Sequence, residues 1–154
     1  SKTMGIWDNV KTWASTTSSN LQTQVGKFKN KDFSDACMAM SALIAAADGS
    51  VDPSERSKTA ALIVNNDILK IFPADQLKTK FDEYCNKLGT DYDFGKVGLI
   101  QVIGKLRSKP DQARAVIQIG IIIGGADGNF DAKERQMVKE ACFAAGLNPT
   151  EFDL

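Results

Sequence analysis

One decapeptide occurs twice in this chain. Residues 47–56 read ADGSVDPSER and residues 126–135 read ADGNFDAKER, identical at six of ten positions and offset by 79 residues. Each copy follows an apolar run, LIAA before the first and IIGG before the second, and leads into a more polar one. Gly49 and Gly128 stand where a helix needs a left-handed residue just past its end, a conformation that costs any residue with a Cβ. Asp52 with Glu55, and Asp131 with Glu134, have the spacing of a capping box, in which each side chain satisfies the other's exposed N–H at a helix start. Pro53 occupies the favoured first helical position. The repeat therefore predicts two helix–loop–helix units, over 32–67 and 110–146, whose loops a pseudo-two-fold would place in comparable environments.

The remaining segments are helical in period. Asp32 to Ala47 carries Phe33, Cys37, Met40, Leu43, Ile44 and Ala47 at spacings of three and four, and Asp52 to Asn66 repeats the pattern. Pro73 to Leu88 aligns Leu77, Phe81, Tyr84, Cys85 and Leu88, with Gly89 expected as its C-terminal cap. Tyr92 to Leu106 follows. Pro110 to Ala126 is nearly all apolar and is expected to be the central, most buried helix; Gly120, Gly124 and Gly125 within it suit close helix packing. Asp131 to Ala145 ends at Gly146, and Asn148-Pro149-Thr150-Glu151 reads as a last capped turn, Glu151 being its N3 residue. No segment alternates like a strand between hairpin signals. The expectation is an all-α, compact single-domain bundle of about seven to eight helices over 1–154, with an amphipathic N-terminal segment at 1–30.

Several function classes drop out. Lys plus Arg equals Asp plus Glu at 19 each, so the basic excess of a nucleic-acid binder is missing and no nucleic acid is expected. There is no histidine, which removes Ser-His-Asp and Cys-His catalysis and His-ligated zinc. Cys37, Cys85 and Cys142 are odd in number, far apart and set in apolar runs, the pattern of small buried hydrophobes in a reducing compartment. The longest apolar stretch, Ala115 to Ala126, is shorter than the ~20 residues a membrane span needs. A cytoplasmic location is expected.

Asp48 and Asp127 are the anomaly. Both fall at the C-terminal end of a helix, where the dipole disfavours a carboxylate. Each lies beside two more acids on a tight glycine loop. Asp48, Asp52, Glu55, Asp127, Asp131 and Glu134 thus form two oxygen-rich clusters suited to a hard divalent cation, Ca²⁺ or Mg²⁺. The competing reading is capping plus pairing with the repeated Arg56 and Arg135. Neither loop is an EF-hand, since positions six and twelve hold Pro53 and Thr59, or Ala132 and Val138. Elsewhere, residues 1–31 hold five lysines against one Asp, and Lys27, Lys29 and Lys31 around Phe28 make a solvated face or an interaction surface. Trp7 and Trp13 either cover the core or anchor a partner. No organic cofactor motif is present.

The segment VGKFKNKDF at 25–33, the two acidic loops and the ending AGLNPTEFDL at 145–154 together resemble the TerB tellurite-resistance family. GNFDAKER followed by GLNPTEFDL is the most specific part; Pro53 and Ser54 make the first loop less so. The resemblance implies a compact helical fold with the six loop carboxylates as a metal-binding surface and the lysine-rich segment as an interaction surface. It implies a stress-response role without established catalysis, in complexes with a TerC-like integral membrane partner and TerD-like calcium-binding proteins at the inner face of the membrane. Tellurite itself is an anion that acidic loops repel. The expected function is therefore a non-enzymatic, cation-binding scaffold or sensor. The alternatives are a pure interaction scaffold whose acids are only caps, and a thiol-dependent tellurite reductase.

Overall fold

Helix α1 (Lys31–Ala45) is buried along nearly its whole length: Phe33 and every residue from Ala36 to Ile44 are enclosed. It is the axis around which the others pack. In this computed structural model, which describes residues 20–126, 128 and 130–154, α1 lies against α2 (Pro53–Val64), α3 (Ala74–Thr90), α4 (Tyr92–Gly104), α5 (Pro110–Gly124) and α6 (Ala132–Ala144). Two short 3₁₀ helices, Ile68–Ile71 and Pro149–Phe152, complete the helices numbered from α1 onward. A helical turn over 20–25 precedes them and buries Leu21 and Val25. Among the described residues there is no strand, and the fold is all-α. The amphipathic segment through residue 19, with Trp7 and Trp13, lies outside the described residues, as does Asp127.

The central helix is α1, where the sequence pointed to α5. Composition of α5 alone misleads, because Asp111, Arg114, Gln118 and Ile122, three and four residues apart, form one partly exposed stripe along it. The small residues of α1, Ala36, Cys37, Ala39, Ser41 and Ala42, let neighbours approach from every side. The Ser41 hydroxyl donates to the Cys37 carbonyl at 2.8 Å, so the one polar side chain there is satisfied. Where α1 and α5 cross, Gly120 and Gly124 admit larger partners. A Cβ on Gly120 would meet Met40 Cγ at 2.5 Å, and one on Gly124 would meet Ile44 Cγ2 and Phe130 Cε2 at 2.9 Å. These glycines serve close packing, as expected.

Local signals set most helix ends. Asn30 caps α1 by accepting from Phe33 N–H at 2.9 Å, and Asp91 caps α4 by accepting from Phe94 N–H at 3.1 Å. Gly49, Gly128 and Gly146 all have positive φ, at 100°, 78° and 74°. Gly89 is different: it lies inside α3, which continues to Thr90 and passes through Asp91 directly into α4. The capping strength of Asp91 for the next helix moves the boundary beyond the glycine. At the tail, Asn148 accepts from Thr150 N–H at 3.0 Å as a cap. Glu151 does not reach back to close a box; its Oε1 accepts from Arg114 Nε at 3.0 Å, tying the tail to α5.

Candidate functional site

The first loop begins where α1 ends. The Asp48 carboxylate turns back and accepts from Ser50 N–H at 3.3 Å, a local Asx turn that accommodates an acid at this unfavourable helix end. Asp52 then caps α2, its Oδ1 accepting from Ser54 N–H at 2.7 Å and Glu55 N–H at 3.4 Å. Glu55 makes no return bond to Asp52 N–H. In the second loop the box does close: Glu134 N–H donates to Asp131 Oδ1 at 2.8 Å, and Asp131 N–H donates to Glu134 Oε1 at 2.9 Å. The buried Phe130 ring seats that loop against Gly124.

These two loops meet. Asp48, Glu55, Asp131 and Glu134 line a single pocket of about 190 Å³, whose apolar side is Ile44, Leu62, Ile123 and Gly124. Lys58 and Thr59 line it too. Four of the six predicted carboxylates are thereby brought together. Asp52 caps α2 without lining the pocket, and Asp127 lies outside the described residues. Lys58 was missed from the sequence, although its position three residues after Glu55 puts both on one side of α2. Arg56 leaves the loop. Its guanidinium donates to Asn86 Oδ1 at 2.9 Å and to Asp82 Oδ1 at 3.3 Å on α3, so it is an interhelix tie.

The donor set is all carboxylate oxygen, the chemistry of a hard cation. Capping occupies Oδ1 of Asp131 and the Asx turn Oδ1 of Asp48, leaving the second oxygen of each carboxylate. Among the described residues, however, no group of three or more Asp, Glu, Cys or His side chains is placed to hold a bare metal ion. The pocket is wider than an ion. It has room for several waters of about 30 Å³ each.

The lysine face is divided. Lys31 Nζ pairs with Asp35 Oδ2 at 2.6 Å, and that hydrogen bond raises its pKa. Lys29 and Lys31 border a cavity of about 680 Å³ between the starts of α1 and α3, whereas Lys27 does not line it. The cysteines are all buried and free. Burial pushes the Cys85 thiol up to about 11, the Cys142 thiol to about 12 and the Cys37 thiol further still. None is a thiolate near neutral pH, the form that thiol chemistry requires.

The fold is an all-helical domain in which two glycine loops converge on an acidic pocket. The chain belongs to the TerB family: the family model described as "Tellurite resistance protein TerB" matches residues 34–154. It is also 31% identical over 122 residues to a protein named "Tellurium resistance protein TerB" from Alcaligenes sp, covering 77% of this chain and 97% of that relative. No solved structure matches it. Among the described residues, no helix is long and apolar enough to cross a membrane.

Proposed function

We propose that this TerB protein is a non-enzymatic cation-responsive module of the tellurite-resistance system, working as a scaffold or sensor through the pocket between its loops. The single observation that carries the reading is the convergence of Asp48, Glu55, Asp131 and Glu134, from loops 79 residues apart, on one cavity of about 190 Å³. Four carboxylates against one lysine concentrate negative potential in a recess with an apolar wall, where screening by solvent is weaker than on an open surface. A divalent ion held there through its waters, Mg²⁺ more than Ca²⁺, would offset their mutual repulsion and draw the ends of α1 and α5 toward the starts of α2 and α6. Asp127, from the second loop, is part of this proposal. The residue roles stop at binding: Asp48, Glu55, Asp131 and Glu134 attract and orient the hydrated ion, and the caps position them.

In that role the protein would sit in the cytoplasm and pass cation occupancy to TerC-like membrane and TerD-like partners of the same system. The raised thiol pKa values support a role without thiol-based reduction of tellurite. The second reading, an interaction scaffold whose loop acids are only caps, draws on the closed box at Asp131 and Glu134; its expected pairing with Arg56 is not made, since Arg56 goes to Asn86 and Asp82.

Thermal unfolding of chelator-treated protein separates the two. A cation at a hundred times its dissociation constant adds about 2.7 kcal/mol. The cation-binding reading expects Mg²⁺ or Ca²⁺ to raise the unfolding temperature of the wild type, and Asp48→Asn/Glu55→Gln to abolish the response. An unfolding temperature indifferent to both ions leaves the acids as caps.

A further inference from the structure

Helix α4 is apolar on two sides. Its inner side, Gly95, Leu99 and Ile103, is buried, while Phe94 is 79% exposed and Val97 57% exposed on the other. A single exposed apolar residue is ordinary; Phe94 heads a row on a groove that continues through exposed Gly98 and half-buried Val102. Phe94, Gly98 and Val102 recur every four residues and form the α4 wall of a groove of about 760 Å³ along α3. The groove is shallow-walled because α4 runs against the α3 backbone, where a Cβ on Gly95 would meet the Lys87 carbonyl oxygen at 2.8 Å. At Gly98 nothing lies within 4 Å of where a Cβ would be, so the middle of the stripe is an open notch.

We propose that this groove is the interface of a symmetric homodimer, in which two copies pair their α4 helices antiparallel about a two-fold axis at Gly98. The stripe is self-complementary about that point. Phe94 and Val102 lie four residues to either side, so each Phe94 packs on the Val102 of the other copy while the two glycines let the backbones close. Charge matches in the same register. Asp91 and Lys105 each stand seven residues, two helical turns, from Gly98, so the antiparallel pair sets each carboxylate beside an ammonium group. The helix dipoles also oppose favourably. A parallel arrangement would stack Asp91 on Asp91 and Phe94 on Phe94 around an empty notch.

Sedimentation equilibrium on the full chain tests the proposal. The expected result is a concentration-dependent species of twice the 16.7 kDa chain mass. Phe94→Glu should return it to a single chain while far-UV circular dichroism stays helical. Phe143→Glu, at an apolar residue 58% exposed on α6 and outside the groove, should leave association unchanged. In a second measurement, Gly98→Cys under mild oxidation should crosslink into covalent dimers, since the three native thiols are buried; Phe143→Cys should not. A monomer at every concentration up to millimolar overturns the proposal. So does a dimer that survives Phe94→Glu, or one that crosslinks as readily through Phe143→Cys as through Gly98→Cys.

Discussion

The Tyr92 hydroxyl donates to the carbonyl oxygen of Ala46 at 3.0 Å, joining the first residue of α4 to the chain just before Asp48. Burial raises the Tyr92 pKa, so the phenol stays protonated and remains a donor at neutral pH. The same carbonyl accepts from Gly49 N–H at 3.0 Å, closing the turn that presents Asp48. Two donors from different elements thus converge on one acceptor at the loop's root. Tyr92→Phe should cost about 0.5–1.5 kcal/mol, toward the lower end because Gly49 still satisfies the carbonyl. Urea unfolding read by circular dichroism checks it; a change in midpoint with an unchanged slope is expected.

The caps of the two loops should differ in strength. Glu134→Ala removes the return half of a reciprocal pair, the bond from Asp131 N–H, whereas Glu55→Ala removes no such bond. Glu134→Ala should cost about 0.5–1.5 kcal/mol in thermal unfolding, and Glu55→Ala less. Equal losses would show that the Glu134 return bond adds nothing.

Packing between α1 and α5 gives a second contrast. Gly124→Ala forces a methyl group between Ile44 and Phe130, at 2.9 Å from each, while Gly120→Ala meets chiefly the flexible Met40, with Ile44 Cδ1 at 3.3 Å. Gly124→Ala should lower stability by about 1–3 kcal/mol, and Gly120→Ala by less. Thermal unfolding of the two variants decides the order.

The thiols make a kinetic prediction. With Cys37, Cys85 and Cys142 buried and their pKa values raised by burial, none should react with an aromatic disulfide reagent at pH 8 until the protein opens. All three should react at once in denaturant. Rapid labelling of a native thiol would reopen thiol chemistry as a function.

Acid should weaken one interhelix tie. Lys78 Nζ at 2.9 Å and Arg56 at 3.3 Å hold the Asp82 carboxyl below its ordinary 3.8, the Lys78 hydrogen bond contributing most. A depressed folded pKa stabilises the fold at pH values above the unfolded one, and that stabilisation disappears as pH falls through the folded value. The carboxylate is about one-third exposed, at 33%, so the effect is at most about 1 kcal/mol. The stability gap between wild type and Asp82→Asn should be open at neutral pH and close as pH falls through the lowered folded value, below the ordinary 3.8.

The sequence by itself determined the features whose physics spans four residues or fewer. The helical period, the caps at Asp52, Asp131 and Asn148, and the left-handed glycines at 49, 128 and 146 were all legible, because each answers to backbone groups one turn away. Gly89 was read as the end of α3, whereas the helix runs through it to Thr90 and Asp91 caps α4. Tertiary structure decided the rest. Whether acids 79 residues apart share a pocket depends on how α1 and α5 cross, which is set by Met40 and Ile44 fitting over Gly120 and Gly124. The same crossing brings Lys58 to the acids, and the packing of α2 on α3 turns Arg56 away from them toward Asp82. The role of α1 as axis follows from small side chains on all its faces, a property that matters only when five other helices need room around it.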